Sequence, residues 1–559
     1  MTHSDGRRFR QNSSAKSVIA GIGLYNRVYR QFLTGFLSIS NNMERASQMN
    51  DDRLSGAAAV VPPDTSDAAA DVPLCVDLDG TLVKSDTLVD AVLLLARQQP
   101  TSPLHWPRWV SKGRAGFKRE ITGRAIVEVE HLPYNQPLQE YLREEHARGR
   151  RIYLATAADI DFAQQVAAHF GDLFTGVLAS DGVLNLAGSN KLKAFQEKFP
   201  DGFTYIGNAI PDRTLLQASV LPMVANPHGK LRSALKRDRT AIHREFIDQR
   251  PTARAILKAI RIHQWAKNIL IFLPAILAHD LSPRAMITSL LAFFSLSFCA
   301  SATYIMNDLL DIEADRRHPR KRLRPFASGD LSPITGVGVV AAFFIVALAL
   351  ALFVPIAAPH LNGPSTAIGV LTAPHTFAIW LAIYTATTLA YSFYLKRVPL
   401  VDVLMLSGLY TIRMLAGADA SGSGISEWLA AFSIFFFLSL AFVKRFSELE
   451  LMVASGRDKA SGRGYRIGDI EQLRALGTSS AFAAVVVLSM YISNLTAGHL
   501  YTHISRLWMI TPVLILWISR VWLLASRGEL HEDPVVYAIT DRMSWFLGAL
   551  CALIVWLAL

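Results

Sequence analysis

Cysteine is almost absent: Cys75, Cys299 and Cys551 are the only three in 559 residues, and they stand far apart. That excludes a disulfide framework and a cysteine-based metal site. A secretory signal is missing as well. The amphipathic stretch Val18 to Ser40 has a broken apolar core, and no clean cleavage site follows it. With Lys16, Arg27 and Arg30 nearby, it reads as a segment for a membrane surface or a partner, or as part of a disordered extension. Residues 1–70 as a whole are dominated by Ser, Asn, Asp, Gly and Ala, too little apolar material for a core. Apolar runs of membrane-spanning length begin only at about residue 262.

What is present is a chain of two characters. Hydrophobic residues make up 51% and the net charge is +11. The mean hydropathy is +0.27, raised by the C-terminal half. A basic balance of this kind does not call for nucleic acid, because a membrane protein with basic cytoplasmic loops produces the same surplus.

At Val72 the polar extension gives way to Pro73-Leu74-Cys75-Val76, a short buried-strand run. It delivers Asp77-Leu78-Asp79-Gly80-Thr81-Leu82. Carboxylates at i and i+2 of an extended segment point to the same side, and Gly80 lets the chain turn sharply after them. This is the first signature of the haloacid dehalogenase-like (HAD-like) phosphatases, which residues 72–226 resemble. The later signatures follow in order. Arg151-Ile152-Tyr153-Leu154-Ala155-Thr156 is a strand ending in a hydroxyl, Asn185 to Lys191 is a lysine-bearing loop, and Phe203 to Asn208 with Asp212 is a final acidic loop.

The resemblance implies an α/β Rossmann-like domain with a small helical cap over Lys84 to about Glu145, including helices at Thr87–Arg97 and Gln136–Arg148. It implies Asp77 as nucleophile and Asp79 as acid/base, with Mg²⁺ bridging Asp77 and the phosphate. Thr156 and Lys191 would hold the phosphate, with Lys193 the weaker candidate, and Asp212 would bind metal. Asn208 stands where the family often has an acid, which leaves Asp212 as the charged ligand. Residues 227–254, polar and basic, read as a linker, with a helix that would rest on anionic headgroups.

Nine candidate spans follow, at about 264–280, 286–306, 333–355, 375–393, 401–418, 427–443, 478–496, 506–525 and 543–559. Every second loop is basic: Arg316 to Arg324, then Lys396-Arg397, then Lys444-Arg445 with Arg457, Lys459, Arg463 and Arg466, then Arg527. The opposite loops, such as Pro355 to His375 and Asp419 to Glu427, carry no Lys or Arg, and only Arg284 stands in the first. The positive-inside rule then puts the basic loops and the N-terminal domain in the cytoplasm, with the chain in the inner membrane.

One basic loop is preceded by ordered acids. Asn307, Asp311 and Asp315 are spaced i, i+4, i+8, and Asp308 pairs with Asp311 at i+3, so the four share one broad helical face. Carboxylates at the end of a membrane helix need compensation, and Mg²⁺ shared with a diphosphate provides it. The bases that follow, among them Arg322 and Arg324, have the donor fork that suits phosphate oxygens. Nine spans with Asn307-Asp308-xx-Asp311-xxx-Asp315 resemble the UbiA superfamily of membrane prenyltransferases over 255–559. Arg261-xx-Gln264-Trp265-x-Lys267-Asn268 and Tyr391-Ser392-xx-Leu395-Lys396-Arg397 look like that superfamily too.

The departure from the pattern narrows the expectation. Ordinary members carry a second aspartate-rich motif after the sixth span, but here that place reads Lys444-Arg445-Phe446-Ser447-Glu448-Leu449-Glu450. With Arg324 to Gly329 (RPFASG), Gly408 to Arg413, Glu532-Asp533-Pro534 and Asp541-Arg542, this resembles the decaprenyl-phosphate phosphoribosyltransferase branch. The resemblance implies Mg²⁺-dependent transfer of phosphoribosyl from 5-phosphoribose 1-diphosphate to a polyprenyl phosphate. Asp308, Asp311 and Asp315 with Asn307 would serve the metal–diphosphate. Arg322, Arg324, Lys396, Lys444 and Arg445 would contact phosphates, and Lys267 would meet the lipid phosphate. The HAD-like domain would then dephosphorylate the product or a related ester. The alternative is an aromatic prenyltransferase of quinone or haem type with an accessory phosphatase domain.

Overall fold

The run Leu74–Val76 is short, yet it lies at the centre of a six-stranded sheet because both its faces are covered. Leu74 and Val76 enter one apolar cluster and Cys75 the other. Such two-sided burial is what a continuous apolar run in a parallel sheet requires. In the computed structural model the described residues are 72–559, apart from 100, 182–184, 358–375, 424–426, 455–463, 495–500 and 531–532. The 1–70 extension with its expected amphipathic segment lies outside them, as do Arg457, Lys459, Arg463 and Glu532.

The strands are β1 (Leu74–Val76), β2 (Ile152–Asp159), β3 (Gly176–Ser180), β4 (Thr204–Gly207), β5 (Pro222–Ala225) and β6 (Arg244–Phe246). Their order is β3-β2-β1-β4-β5-β6 and every pairing is parallel. In open parallel sheets the crevice at the carboxyl ends of the central strands is where ligands bind. Asp77 leaves β1 and Asn208 leaves β4 at that edge. This is an α/β domain built on one parallel sheet.

Two sequence expectations change here. The stretch 227–254 is not a free linker: helix Gly229–Arg237 buries Leu231, Ala234 and Leu235 under the sheet, and β6 pairs with β5. Three residues of strand inside a basic segment carry too little alternation to be read from sequence. Helix Gln136–Ala147 is not part of the cap, because Leu138, Tyr141 and Leu142 pack into the sheet's own core. The cap consists of helices Thr87–Gln98, Trp106–Val110 and Gly113–Thr122, joined through Ala91, Leu95, Trp109 and Ile121.

The C-terminal domain is a helical bundle, and the chain is a multi-pass membrane protein. Among the described residues six helices are long and apolar enough to span: Pro283–Leu310, Pro333–Val354, Val401–Ser421, Glu427–Val453, Ile467–Asn494 and Ile504–Ser526. The pair Pro534–Thr540 and Arg542–Ala558, bent by 78°, makes a seventh if taken as one span. The expected count of nine is not reached, for two physical reasons. Phe377–Phe393 is apolar but short. The 264–280 stretch is a 3₁₀ segment, Ile262–Phe272, followed by a five-residue helix, Leu273–Leu277, with Pro274 in its first turn. That segment keeps Lys267 and Asn268 buried inside the bundle. Pro283–Leu310 lies at the bundle centre and presents Ser289, Ala292, Ser295, Ala300 and Ala302, small side chains that let neighbouring helices approach closely.

Candidate active sites

In the α/β domain the carboxylate of Asp77 meets a buried lysine. Lys191 Nζ donates to Asp77 Oδ1 at 2.8 Å, to the Ala155 carbonyl at 3.1 Å and to Tyr205 Oη at 3.0 Å. The Tyr205 hydroxyl donates in turn to Asp212 Oδ1 at 2.8 Å. Asp212 Oδ2 accepts from the amides of Asn208 and Ala209, both at 3.0 Å, which fixes the last loop. Asp79 Oδ1 accepts from the Thr87 amide at 2.8 Å and hydroxyl at 2.7 Å, at the start of the cap helix. Thr156 lies fully buried in the adjacent strand β2, its Oγ1 accepting from the Ala158 amide at 3.0 Å. The five residues expected here, Asp77, Asp79, Thr156, Lys191 and Asp212, thus share one end of the sheet.

Gly80 is required by two facts. Its φ is +75°, and a Cβ there would lie 1.8 Å from Asn208 Nδ2. Burial pushes the Asp77 carboxyl up to about 6, with Lys191 opposing and Asp212 adding to the rise. Burial and then the neighbouring Asp86 push Asp79 up to about 7. One carboxylate ionised and one protonated near neutrality is the division of labour between a nucleophile and an acid. Sequence reading missed two participants, Tyr205 and Lys118. Lys118 Nζ reaches from the cap to the Ala157 carbonyl at 2.6 Å and Asn185 Oδ1 at 3.2 Å. Tyr205 lies within the Phe203–Asn208 signature, but nothing in that stretch marks its hydroxyl as a partner of Lys191, and Lys118 falls in no short motif.

In the membrane domain the three acids and Asn307 sit where Pro283–Leu310 ends. Asp308 is 2% exposed and is clasped by Arg261 Nη2, at 2.6 and 2.7 Å to its two oxygens. Arg324 Nη1 bridges Asp308 Oδ1 at 3.0 Å and Asp315 Oδ2 at 2.7 Å. Asp311 pairs with Lys396 at 3.6 Å and, from the α/β domain, with Arg97 at 2.8 Å. Burial raises Asp315, with Arg324 opposing. Asn307 is half-buried beside Asp308. Arg322 is exposed on the turn Lys321–Leu323, and among the described residues no ion pair joins it to the acids.

Two further clusters involve the residues that replace a second aspartate motif. Lys267 Nζ and Lys444 Nζ converge on Asp533 Oδ2 at 2.9 and 2.8 Å, and Tyr410 Oη donates to Asp533 Oδ1 at 3.2 Å. Arg445 is 1% exposed and is spent on protein carboxylates. It pairs with Asp402 and Glu448 and donates to Tyr391 Oη at 3.2 Å. Arg445 therefore ties helix Glu427–Ala454 to Val401–Ser421 rather than facing an open site. Asp402 and Arg97 were not legible as site residues, and Arg261 and Asp533 stood in quoted motifs without a role, because their partners lie tens to hundreds of residues away.

Divalent metal can be tested against these donors. All are hard carboxylate oxygens, the right type for Mg²⁺. Among the described residues, however, no three His, Cys, Asp or Glu groups come close enough to hold an ion alone. The residues fit a cation that arrives with phosphate oxygens to complete its shell, not a protein-only cage.

The UbiA prenyltransferase family profile matches residues 269–548. A Sinorhizobium fredii protein, y4nM, is 36% identical over 484 residues, covering 86% of this chain and 90% of that one. That alignment is longer than the whole membrane half, so it takes in α/β-domain sequence as well. The decaprenyl-phosphate phosphoribosyltransferase of Mycobacterium tuberculosis is 31% identical over 299 residues, covering 52% of this chain and 90% of that one. The structure of an Archaeoglobus fulgidus UbiA homologue bound to GPP and Mg²⁺ superposes with a TM-score of 0.39 at 17% identity, over 54% of this chain and 96% of the other. With acids closing a membrane helix, bases around them and a family profile spanning half of its length, this chain belongs to the UbiA prenyltransferase family.

Proposed function

We propose that the chain is a two-site membrane enzyme. Its membrane domain transfers 5-phosphoribosyl from 5-phosphoribose 1-diphosphate to a polyprenyl phosphate with Mg²⁺, and its α/β domain removes the 5-phosphate from the product. The observation that carries the reading is the convergence of Lys267 and Lys444 on Asp533, at 2.9 and 2.8 Å. Lys444 occupies the place where a second acid cluster would serve a prenyl diphosphate. Two ammonium groups there favour an additional phosphate, which a phosphoribosyl donor or a lipid phosphate carries and an aromatic acceptor does not. The relationship to decaprenyl-phosphate phosphoribosyltransferases points the same way. The basic loops orient both sites to the cytoplasmic face of the inner membrane.

Mg²⁺ bound together with the diphosphate supplies charge neutralisation for the leaving group. Asp308, Asp311 and Asp315, with Asn307 beside them, hold the metal–diphosphate. Arg261, Arg324 and Lys396 exchange their carboxylate partners for phosphate oxygens as it enters. Lys267 and Lys444 hold the lipid phosphate and the 5-phosphate. The bond from the anomeric carbon to the diphosphate oxygen breaks, and an oxygen of the polyprenyl phosphate forms the new bond to that carbon. Arg445 positions the helix that carries Lys444.

In the α/β domain the Asp77 carboxylate attacks the phosphorus of the 5-phosphate ester. Lys191 on Oδ1 and Thr156 steady the group. Asp79 gives its proton to the departing ribose oxygen, then takes one from the water that cleaves the aspartyl phosphate. Asp212, which fixes the loop through the Asn208 and Ala209 amides, would be the charged ligand of the metal there. Both sites lie within one compact unit, so a lipid product kept in the membrane plane meets the second site at high effective concentration.

The test is transfer of ribose-labelled 5-phosphoribose 1-diphosphate into the lipid fraction by membranes holding the full chain. Label should enter lipid and be lost in Asp308→Asn with Asp311→Asn. Alkylation of an aromatic acid with no label in lipid would sink the proposal.

A further inference from the structure

The helix Thr87–Gln98 belongs to the cap of the α/β domain, yet its two ends address two different sites. At its start the Thr87 amide and hydroxyl hold Asp79 at 2.8 and 2.7 Å. At its last turn Arg97 Nη1 reaches Asp311 Oδ1 at 2.8 Å and the Leu310 carbonyl at 2.9 Å. Between them Asp90 pairs with Arg316 at 2.8 Å, and Leu93 packs against the cluster of Ile305, Leu309 and Phe326. From residue 87 to 97 an α-helix covers roughly 15 Å. The two constellations therefore lie at opposite ends of one short rigid rod.

The seat of this rod is built, not incidental. Arg316 also donates to Ser85 Oγ at 3.0 Å and to the Ala327 carbonyl at 3.2 Å. Gln249 Nε2 donates to the carbonyls of Lys84 at 3.1 Å and Gly329 at 2.9 Å. Gly329 has φ +74°, and a Cβ there would come 2.7 Å from Lys84 Cβ, so the RPFASG loop and the α/β domain touch backbone to side chain. With the helix held this way, the Arg97 guanidinium cannot drift from Asp311. Its side chain remains 29% exposed.

We infer that Arg97 is a binding residue of the transferase site, contributed by the phosphatase-like domain: its guanidinium contacts the diphosphate held at Asp308 and Asp311. The inference rests on the diphosphate reading of those acids and extends it to a residue outside the membrane domain. Asp311 now has two cations on it, Arg97 and Lys396. When the carboxylate turns to the metal, those cations are left beside phosphate oxygens. A guanidinium forked between the Leu310 carbonyl and a phosphate keeps its donors satisfied without moving its helix. The transferase site is thus incomplete without the fused domain.

The experiment is calorimetric binding of inorganic diphosphate with Mg²⁺ to the full chain in detergent, comparing wild type, Arg97→Ala, Arg97→Lys and Asp308→Asn. A lost charge-assisted contact should weaken diphosphate binding roughly 10- to 100-fold in Arg97→Ala, with partial recovery in Arg97→Lys. Unchanged thermal unfolding of Arg97→Ala would separate this from a loosened interface, since the Asp90–Arg316 pair remains. Tighter or unchanged binding in Arg97→Ala overturns the inference, because a mere occupant of Asp311 competes with the metal and its removal helps. If that result comes with loss of binding in Asp308→Asn, the diphosphate site stands and only Arg97 is excluded. If Asp308→Asn also binds normally, the diphosphate reading of the acids fails and the inference with it.

Discussion

Replacing Arg316 by leucine should undock the α/β domain from the membrane domain. Arg316 and Asp90 are each only 4% exposed and are joined at 2.8 Å across the domain boundary. Asp90 Oδ2 also accepts from Ser85 at 2.7 Å, but Asp90 Oδ1 has no hydrogen-bond partner among the described residues. Arg316→Leu leaves that buried carboxylate without a cation, at a cost of about 3–5 kcal/mol. At about 1.4 kcal/mol per tenfold, the docking equilibrium falls by roughly 100- to 4,000-fold. Hydrogen exchange on the amides of Thr87–Gln98 in the detergent-solubilised full chain reads this directly, as protection lost by a comparable factor. Adding Asp90→Leu should return most of it, because a buried pair replaced as a unit by apolar groups is often neutral. Protection unchanged in the single variant, or a double variant that loses the sum of the two singles, would refute the reasoning.

Phosphate release by the α/β domain should have a narrow pH optimum. Asp77 must be ionised and sits near pH 6, while Asp79 must be protonated and sits near 7, so the rate rises through about 6 and falls beyond about 7; a profile flat across that window contradicts the assignment. Gly80→Ala should abolish phosphate release and spare lipid labelling, since its Cβ would fall 1.8 Å from Asn208 Nδ2 at a φ of +75°. Retained release would show that the loop has room. Asn208→Asp restores a carboxylate to the last loop and should lower the Mg²⁺ concentration that half-saturates phosphate release; an unchanged requirement removes that loop from the metal's surroundings.

Short-range chemistry was legible in the sequence. The DxDGT run announced β1 and its carboxylates, and the lysine expected from Asn185–Lys191 arrives at Asp77. The ordered acids after Met306 fall at a helix end, ringed by bases as their spacing suggested. What stayed hidden is pairing over distance. Lys267 meets Asp533 across 266 residues, Arg445 meets Asp402 across 43 and Arg97 reaches the Leu310 carbonyl across 213, and nothing in local periodicity encodes such contacts. Arg445 illustrates the cost: a base at a motif position suggested a phosphate contact, but buried acids claimed it first. Short elements were hidden for a related reason. Arg244–Phe246 has three residues, and the 262–277 segment is apolar enough to suggest a span although it is a 3₁₀ stretch to Phe272 followed by a five-residue helix.

The central claim, phosphoribosyl transfer followed by dephosphorylation in one chain, is tested most directly by a double label. Donor 5-phosphoribose 1-diphosphate would carry ¹⁴C in the ribose and ³²P in the 5-phosphate, with polyprenyl phosphate and membranes containing the full chain. The account predicts ¹⁴C alone in the lipid product of wild type, and both labels in the lipid product of Asp77→Asn. Absence of ¹⁴C from lipid would contradict the transferase assignment, and ³²P retained equally in both proteins would contradict the role given to the α/β domain.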